Sequence, residues 1–206
     1  GERVITVMTA GNLATTQAVI SILEERTKAP SERSPSLMEA PSMFQVARLV
    51  AQTLKDVIEE HGEEGQRADS SFNATMIVGG QIADSAPRLF LIYPEGNFIE
   101  ASADTPFFQI GETKYGKPIL VRAFDPSMSF EAAIRLLLVS FDSTIKANLG
   151  VGMPLDVQVY EEGRLISGLP LRVERTQPWP RASPDGCGDA LQAALDDLPL
   201  VSLDRQ

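Results

Sequence analysis

Histidine and cysteine are nearly absent from this sequence, which contains one of each, His61 and Cys187. A zinc site built from these residue types therefore lacks ligands. No internal disulfide bond can form, which is compatible with a reducing cytoplasm. A Ser-His-Asp or Cys-His catalytic site would have to use His61. This residue follows two glutamates and precedes a glycine, a pattern typical of a helix C-terminus, where an imidazole is favoured without any catalytic role. Cys187, between two glycines, is interpreted as a free surface thiol.

Basic residues are also scarce, since 18 lysines and arginines stand against 28 acidic residues and the net charge is −10. Nucleic acids and anionic membrane surfaces both require a basic face, so neither is expected as a partner. No apolar run reaches the roughly 18 residues of a transmembrane helix. The first residues do not form a signal peptide. The glycines at 79–80 and 150–152 do not continue as nucleotide-binding motifs, and they predict tight turns instead.

The spacing of apolar residues predicts a chain that passes repeatedly between strands and helices. Strands are predicted at residues 3–9, 74–80, 88–93, 97–101, 107–110, 155–160, 165–167 and 171–173. Helices are predicted at 12–26, 42–61, 129–145 and 189–198, with a shorter one near residue 114. Antiparallel hairpins separated by paired helices favour a layered α/β sandwich with helices on both outer faces over a doubly wound sheet. The predicted core face of the 129–145 helix consists of Phe130, Ala133, Ile134, Leu137, Leu138, Phe141 and Ile145.

Three stretches of this sequence together resemble one protein family. They are VMTAGNLATTQAV at 7–19, MIVGGQIADSAPRLFLIYPEGNFIEASADTPFFQIGETKYGKPIL at 76–120, and SFDSTIKANLGVGMPLDVQVY at 140–160. This wording is similar to Anbu (ancestral beta subunit), a bacterial proteasome-type peptidase family related to proteasome β subunits. The resemblance covers residues 1–175 and implies a proteasome-like domain there. Residues 176–206 would form a proline-rich segment and a short helix.

The resemblance implies an α/β fold of the α+β type, a four-layer αββα sandwich of the N-terminal-nucleophile hydrolase kind. It implies that the backbone N–H of Gly11 forms the oxyanion hole and that Thr9 and Leu13 line the substrate pocket. Glu112 and Asn148 stand where proteasome subunits often have a serine and an aspartate, so we expect them to support the site from its side. The family nucleophile is an N-terminal threonine whose α-amine titrates near pH 8 and acts as the base. This chain begins with Gly1, so we expect the nucleophile and its lysine and aspartate partners upstream of these residues.

The same resemblance implies a threonine-type endopeptidase that acts on peptides or proteins and needs no metal or organic cofactor. It implies a cytoplasmic homo-oligomer, a ring or a spiral, and it identifies no unfoldase partner. Two alternatives stay open at this point. The chain is either a non-hydrolytic assembly subunit, like the α-type proteasome subunits, or an amidase of the same fold that cuts a non-peptide bond.

Overall fold

The computed structural model describes residues 1–28, 36–65, 72–168, 170–174 and 186–197. The first half of the chain contains β1 (Arg3–Gly11), α1 (Leu13–Lys28), α2 (Met43–Gly65), β2 (Ala74–Ile82), β3 (Arg88–Ile92) and β4 (Phe98–Glu100). The second half contains α3 (Lys117–Ala123), α4 (Phe130–Ala147), β5 (Leu155–Val157), β6 (Leu171–Val173) and α5 (Gly186–Asp196). This order matches the predicted α+β sandwich, in which antiparallel sheets lie between pairs of helices.

Side-chain caps start the two long helices of the first half. Asn12 Oδ1 accepts a hydrogen bond from the backbone N–H of Thr15 at 3.1 Å, and Ser42 Oγ accepts one from Gln45 at 3.3 Å. Each cap satisfies an N–H that has no partner inside its own helix. The expected end of the second helix at His61 is wrong, because α2 continues to Gly65. The rest of the polar loop predicted there, residues 66–71, lies outside the described residues.

The main sheet has four antiparallel strands in the order β1-β2-β3-β4. Helices α1 and α2 pack against each other and cover one of its faces. Residues on that face have no exposure to solvent, among them Met76, Val78, Phe90 and Ile92. They meet Val46, Val50 and Leu54 of α2 in one apolar cluster, which is the core of the molecule.

The opposite face of the same sheet carries a second row of apolar side chains. The strand register places Met8 beside Ile77, Ile77 beside Leu91, and Leu91 beside Ile99. Because alternate residues of a strand point to opposite faces, these four side chains lie on the face away from α1 and α2. Met8 is 53% exposed and Ile99 is 43% exposed. We call this row the open face of the sheet.

Strands β5 and β6 form a small antiparallel sheet of their own. The segment after β5 is tied to the end of β2 by Gln81, whose Oε1 accepts hydrogen bonds from the hydroxyl of Tyr160 and from the backbone N–H of Gly163. Gln81 is buried, so these bonds form away from water, where losing them would leave an unpaired polar group. This contact holds the small sheet beside the large one.

Helix α4 is oriented differently from the sequence-based prediction. Its cap at Ser129 is confirmed, since the side chain accepts a hydrogen bond from the backbone N–H of Ala132. The predicted core face is wrong for three of its members: Phe130 is 52%, Leu137 is 42% and Phe141 is 43% exposed.

Leu136, Ser140 and Thr144 share one side of α4 and are buried, whereas Leu138 is buried on the predicted face. Gly116 explains this orientation, because a side chain built there would collide with Ser140 Oγ and would lie 2.9 Å from Thr144 Oγ1. Small residues on both partners let the start of α3 approach α4 closely, and this packing decides which side of α4 is buried.

Two predicted strands are absent from the described residues. Residues 107–110 make no strand, and the ring of Phe107 lies 5.4 Å from that of Phe124. Residues 165–167 make none either, since Leu165 has a φ of 47°, which is incompatible with an extended strand. The partner of β5 is therefore β6, as predicted for 171–173, and β5 itself ends at Val157. The terminal helix predicted at 189–198 is present from Gly186 to Asp196, whereas residues 175–185 of the predicted tail lie outside the described part of the chain.

Candidate functional site

Gly11 ends β1 in a conformation that only glycine adopts easily. Its φ is +116°, and a Cβ built there would lie 2.5 Å from the carbonyl oxygen of Asn73 and 2.8 Å from the Cα of Ala74. Both obstacles are backbone atoms, which cannot rotate away as a side chain can. The position therefore excludes every side chain, and the backbone of Gly11 remains accessible at the surface.

The strand register shows where the N–H of Gly11 points. Two hydrogen bonds at the ends of β1 show which positions are bonded to β2. The N–H of Asn12, the residue after Gly11, donates to the carbonyl oxygen of Asn73 at 3.0 Å. At the start of the strand, the N–H of Ala83 donates to the carbonyl oxygen of Glu2 at 2.8 Å. In an antiparallel pair, hydrogen-bonded and non-bonded positions alternate along the strand. Gly11, opposite Ala74, is therefore at a non-bonded position, and its N–H points away from β2. Since β1 is an edge strand of the four-stranded sheet, this donor faces outward.

Three polar contacts hold this donor in place. Besides the Asn12–Asn73 bond and the Asn12 cap, the hydroxyl of Thr15 donates to the carbonyl oxygen of Phe72 at 2.9 Å. Thr15 is fully buried although it lies in the first turn of α1. The N-terminus of α1 directly follows Gly11, so the helix dipole adds positive potential beside the N–H. Sequence reasoning found Gly11 and Asn12 but missed Thr15 and Asn73, whose roles depend on contacts 57 or more residues apart in the chain.

Glu112 and Asn148, which were predicted as supporting residues, are joined to each other. Asn148 Nδ2 donates to Glu112 Oε2 at 2.8 Å, and the backbone N–H of Lys114 donates to Glu112 Oε1 at 2.8 Å. Asn148 Oδ1 in turn accepts the N–H of Gly150 at 2.8 Å. The pair therefore links the corner before α3 to the turn after α4, and both carboxylate oxygens of Glu112 have partners.

This corner lies close to the end of β1. A Cβ built at Gly111 would be 3.6 Å from Cβ of Ala10, the residue before Gly11. The structure therefore brings Gly11, Glu112 and Asn148 into one neighbourhood, with Ala10 and Gly111 as the contact between the two segments. Nothing in the local sequence around Ala10 indicates this contact.

Gln109 was also missed. Its Nε2 donates to the carbonyl oxygen of Glu112 at 3.1 Å. Its Oε1 is shielded from solvent and accepts no hydrogen bond from any residue that the structure describes. Leaving a buried acceptor unpaired costs about 1–3 kcal/mol, so this oxygen marks a place where a donor fits.

Thr9 and Leu13 flank Gly11 and are both exposed. Residues two apart in a strand point to the same face, so Thr9 shares its face with Ile5 and Val7. Those two side chains pack toward the helices. The side chain of Thr9 therefore lies on the helix-covered side of the strand. Leu13 is the first residue of α1. The two side chains thus border the outer edge of β1 on the helix side of Gly11, whereas Ala10 lies on the other side.

The described part of the chain contains no group of three or more histidine, cysteine, aspartate or glutamate residues placed to hold a metal ion. Within the same residues, no helix is long and apolar enough to span a membrane. His61 lies inside α2 with its ring 5.7 Å from that of Phe72. What the site offers chemically is an outward backbone donor beside a helix N-terminus, with a hydrogen-bonded carboxylate and amide nearby.

Comparison with known proteins identifies the family of this fold. Residues 2–159 match the family model described as proteasome subunit. No curated protein matches the chain. Among solved structures, the Anbu helical assembly from Pseudomonas aeruginosa is 42% identical with a TM-score of 0.89, over 100% of this chain and 84% of that one.

Two further structures agree. Anbu (ancestral beta-subunit) from Yersinia bercovieri is 40% identical with a TM-score of 0.87, over 98% of this chain and 83% of that one. The Anbu (Gly-1) mutant from Hyphomicrobium sp. strain MC1 is 42% identical with a TM-score of 0.87, over 98% of this chain and 82% of that one. The fold is thus that of a proteasome-type subunit. Within that class, the chain belongs to the Anbu, or ancestral beta-subunit, family.

Proposed function

We propose that this chain is the greater part of a threonine-type peptidase subunit, an N-terminal-nucleophile hydrolase that cuts peptide bonds in peptides or proteins. The observation that carries the proposal is the N–H of Gly11, an accessible backbone donor held rigidly at the edge of β1. The nucleophile would be an N-terminal threonine that lies outside these 206 residues, with a lysine and an aspartate beside it.

In this mechanism the threonine hydroxyl attacks the substrate carbonyl while the free α-amine accepts its proton. An α-amine titrates near pH 8, so it acts as a base at neutral pH without histidine. Negative charge then develops on the carbonyl oxygen. The N–H of Gly11, fixed by Asn12 and Asn73, donates a hydrogen bond to that oxygen and needs no reorganisation as the charge forms. Thr9 and Leu13 would border the side chain of the substrate.

The open face of the sheet supports a nucleophile carried on an additional strand. The row of Met8, Ile77, Leu91 and Ile99 is apolar and lies on the face away from α1 and α2, and its outer members Met8 and Ile99 are about half exposed. Between the two sheets lies a cavity of about 630 Å³ bordered by residues of both, including Met8, Leu89 and Asp156. Extended segments with alternating apolar residues fit such a space and would extend the small β5-β6 sheet.

We also propose that copies of this chain associate into a ring or a spiral in the cytoplasm. The Pseudomonas aeruginosa relative is described as a helical assembly. A second candidate function is that of a non-hydrolytic assembly subunit. It is favoured by Glu112, where proteasome subunits often have a serine, because both of its carboxylate oxygens are already bonded to Asn148 and Lys114.

The test is made on the complete polypeptide, with its mature N-terminus identified by intact mass and N-terminal sequencing. Hydrolysis of fluorogenic peptides is measured before and after acetylation of the α-amine, and particle size is measured on the same samples. A mature N-terminal threonine, with hydrolysis lost on acetylation and size unchanged, supports the peptidase. Assembled particles without hydrolysis of any peptide, or with hydrolysis that survives acetylation, would refute it, and the first of these results would favour the assembly subunit.

A further inference from the structure

We draw no further inference here: the strongest candidate, the apolar stripe of α4 on which Phe130, Leu137 and Phe141 are about half exposed, carries none, because nothing in the part of the chain that the structure describes shows what covers it.

Discussion

The two faces of the four-stranded sheet differ sharply although they belong to the same strands. On the helix-covered face, Met76, Val78, Phe90 and Ile92 have no exposure. On the open face, Met8 and Ile99 of the two edge strands expose about half of their side chains, whereas Ile77 between them is buried. The first face is completed by α1 and α2, whereas Ala10 and the corner at Gly111 and Glu112 adjoin the second. Truncating a side chain on the covered face should therefore cost more stability than truncating one on the open face.

The largest effect is expected from Phe90→Ala on the covered face. Truncating a fully buried phenylalanine removes its packing and leaves a cavity, which costs about 3–5 kcal/mol of the free energy of unfolding. Leu91→Ala, one residue further and on the open face, is expected to cost about 1 kcal/mol, because less of its surface is removed from water. Urea denaturation of both variants measures this contrast. Equal losses would mean that the two faces are equally packed in solution.

A somewhat smaller loss is expected from Gly11→Ala, on the order of 2–4 kcal/mol, since strain at positive φ is added to a collision with the backbone of Asn73 and Ala74. Gly163→Ala is the matched control: φ there is +80°, but a Cβ would meet nothing within 4 Å. The control should cost about 1 kcal/mol. Thermal unfolding of the pair isolates the effect of close packing, and a control that loses as much stability as Gly11→Ala would contradict it.

The hydrogen-bonded pair of Glu112 and Asn148 should contribute about 1 kcal/mol, the usual net value of a hydrogen bond in a protein, because the pair is only partly buried. A double-mutant cycle with Glu112→Ala and Asn148→Ala measures this coupling without counting the other contacts of either residue. Strict additivity of the two single losses would show that the pair does not hold the corner to the turn.

The smallest effect concerns the exposed edge of the sheet. Arg88 donates to both carboxylate oxygens of Glu100, at 2.6 and 2.5 Å, and this hydrogen bonding holds the pKa of Glu100 below its usual value. The contribution to stability is therefore complete above the unfolded pKa of about 4.3 and is lost as the pH falls through the lower folded pKa. Because the pair is largely exposed, its share of the free energy is well under 1 kcal/mol. Glu100→Gln should flatten the dependence of stability on pH between about pH 5 and 3 relative to the unmodified protein, whereas parallel curves would exclude the linkage.

Local features of the sequence predicted much of the covered side. The alternating strand before Gly11, the cap at Asn12 and the apolar stripe of α2 are each encoded within a few residues, and the structure contains all three. The orientation of α4 could not be predicted this way. Its most apolar stripe includes Phe130 and Phe141, yet the close contact of Gly116 with Ser140 and Thr144 buries a more polar side. Periodicity measures how apolar a helix face is, but not which neighbour approaches it.

The candidate site was likewise predicted only in part. Gly11, Glu112 and Asn148 came from a family resemblance, whereas the strand register revealed the direction of the Gly11 N–H and the hydrogen-bond pattern revealed Gln109. The register joins residues that are distant in sequence, and the shielding of Gln109 Oε1 depends on the fold around it, so the sequence alone indicates neither. The predicted strand at 107–110 is absent because a short apolar run does not show whether a neighbouring strand is placed to pair with it.

The most direct test of the central claim is a crystal structure of the complete protein bound to a peptide aldehyde or boronate, which mimics the tetrahedral intermediate. We expect a covalent bond to an N-terminal threonine. We also expect the oxygen of the adduct to lie about 2.7–3.1 Å from the backbone nitrogen of Gly11. An adduct whose oxygen is bound elsewhere, with the Gly11 N–H still facing solvent, would contradict the central claim.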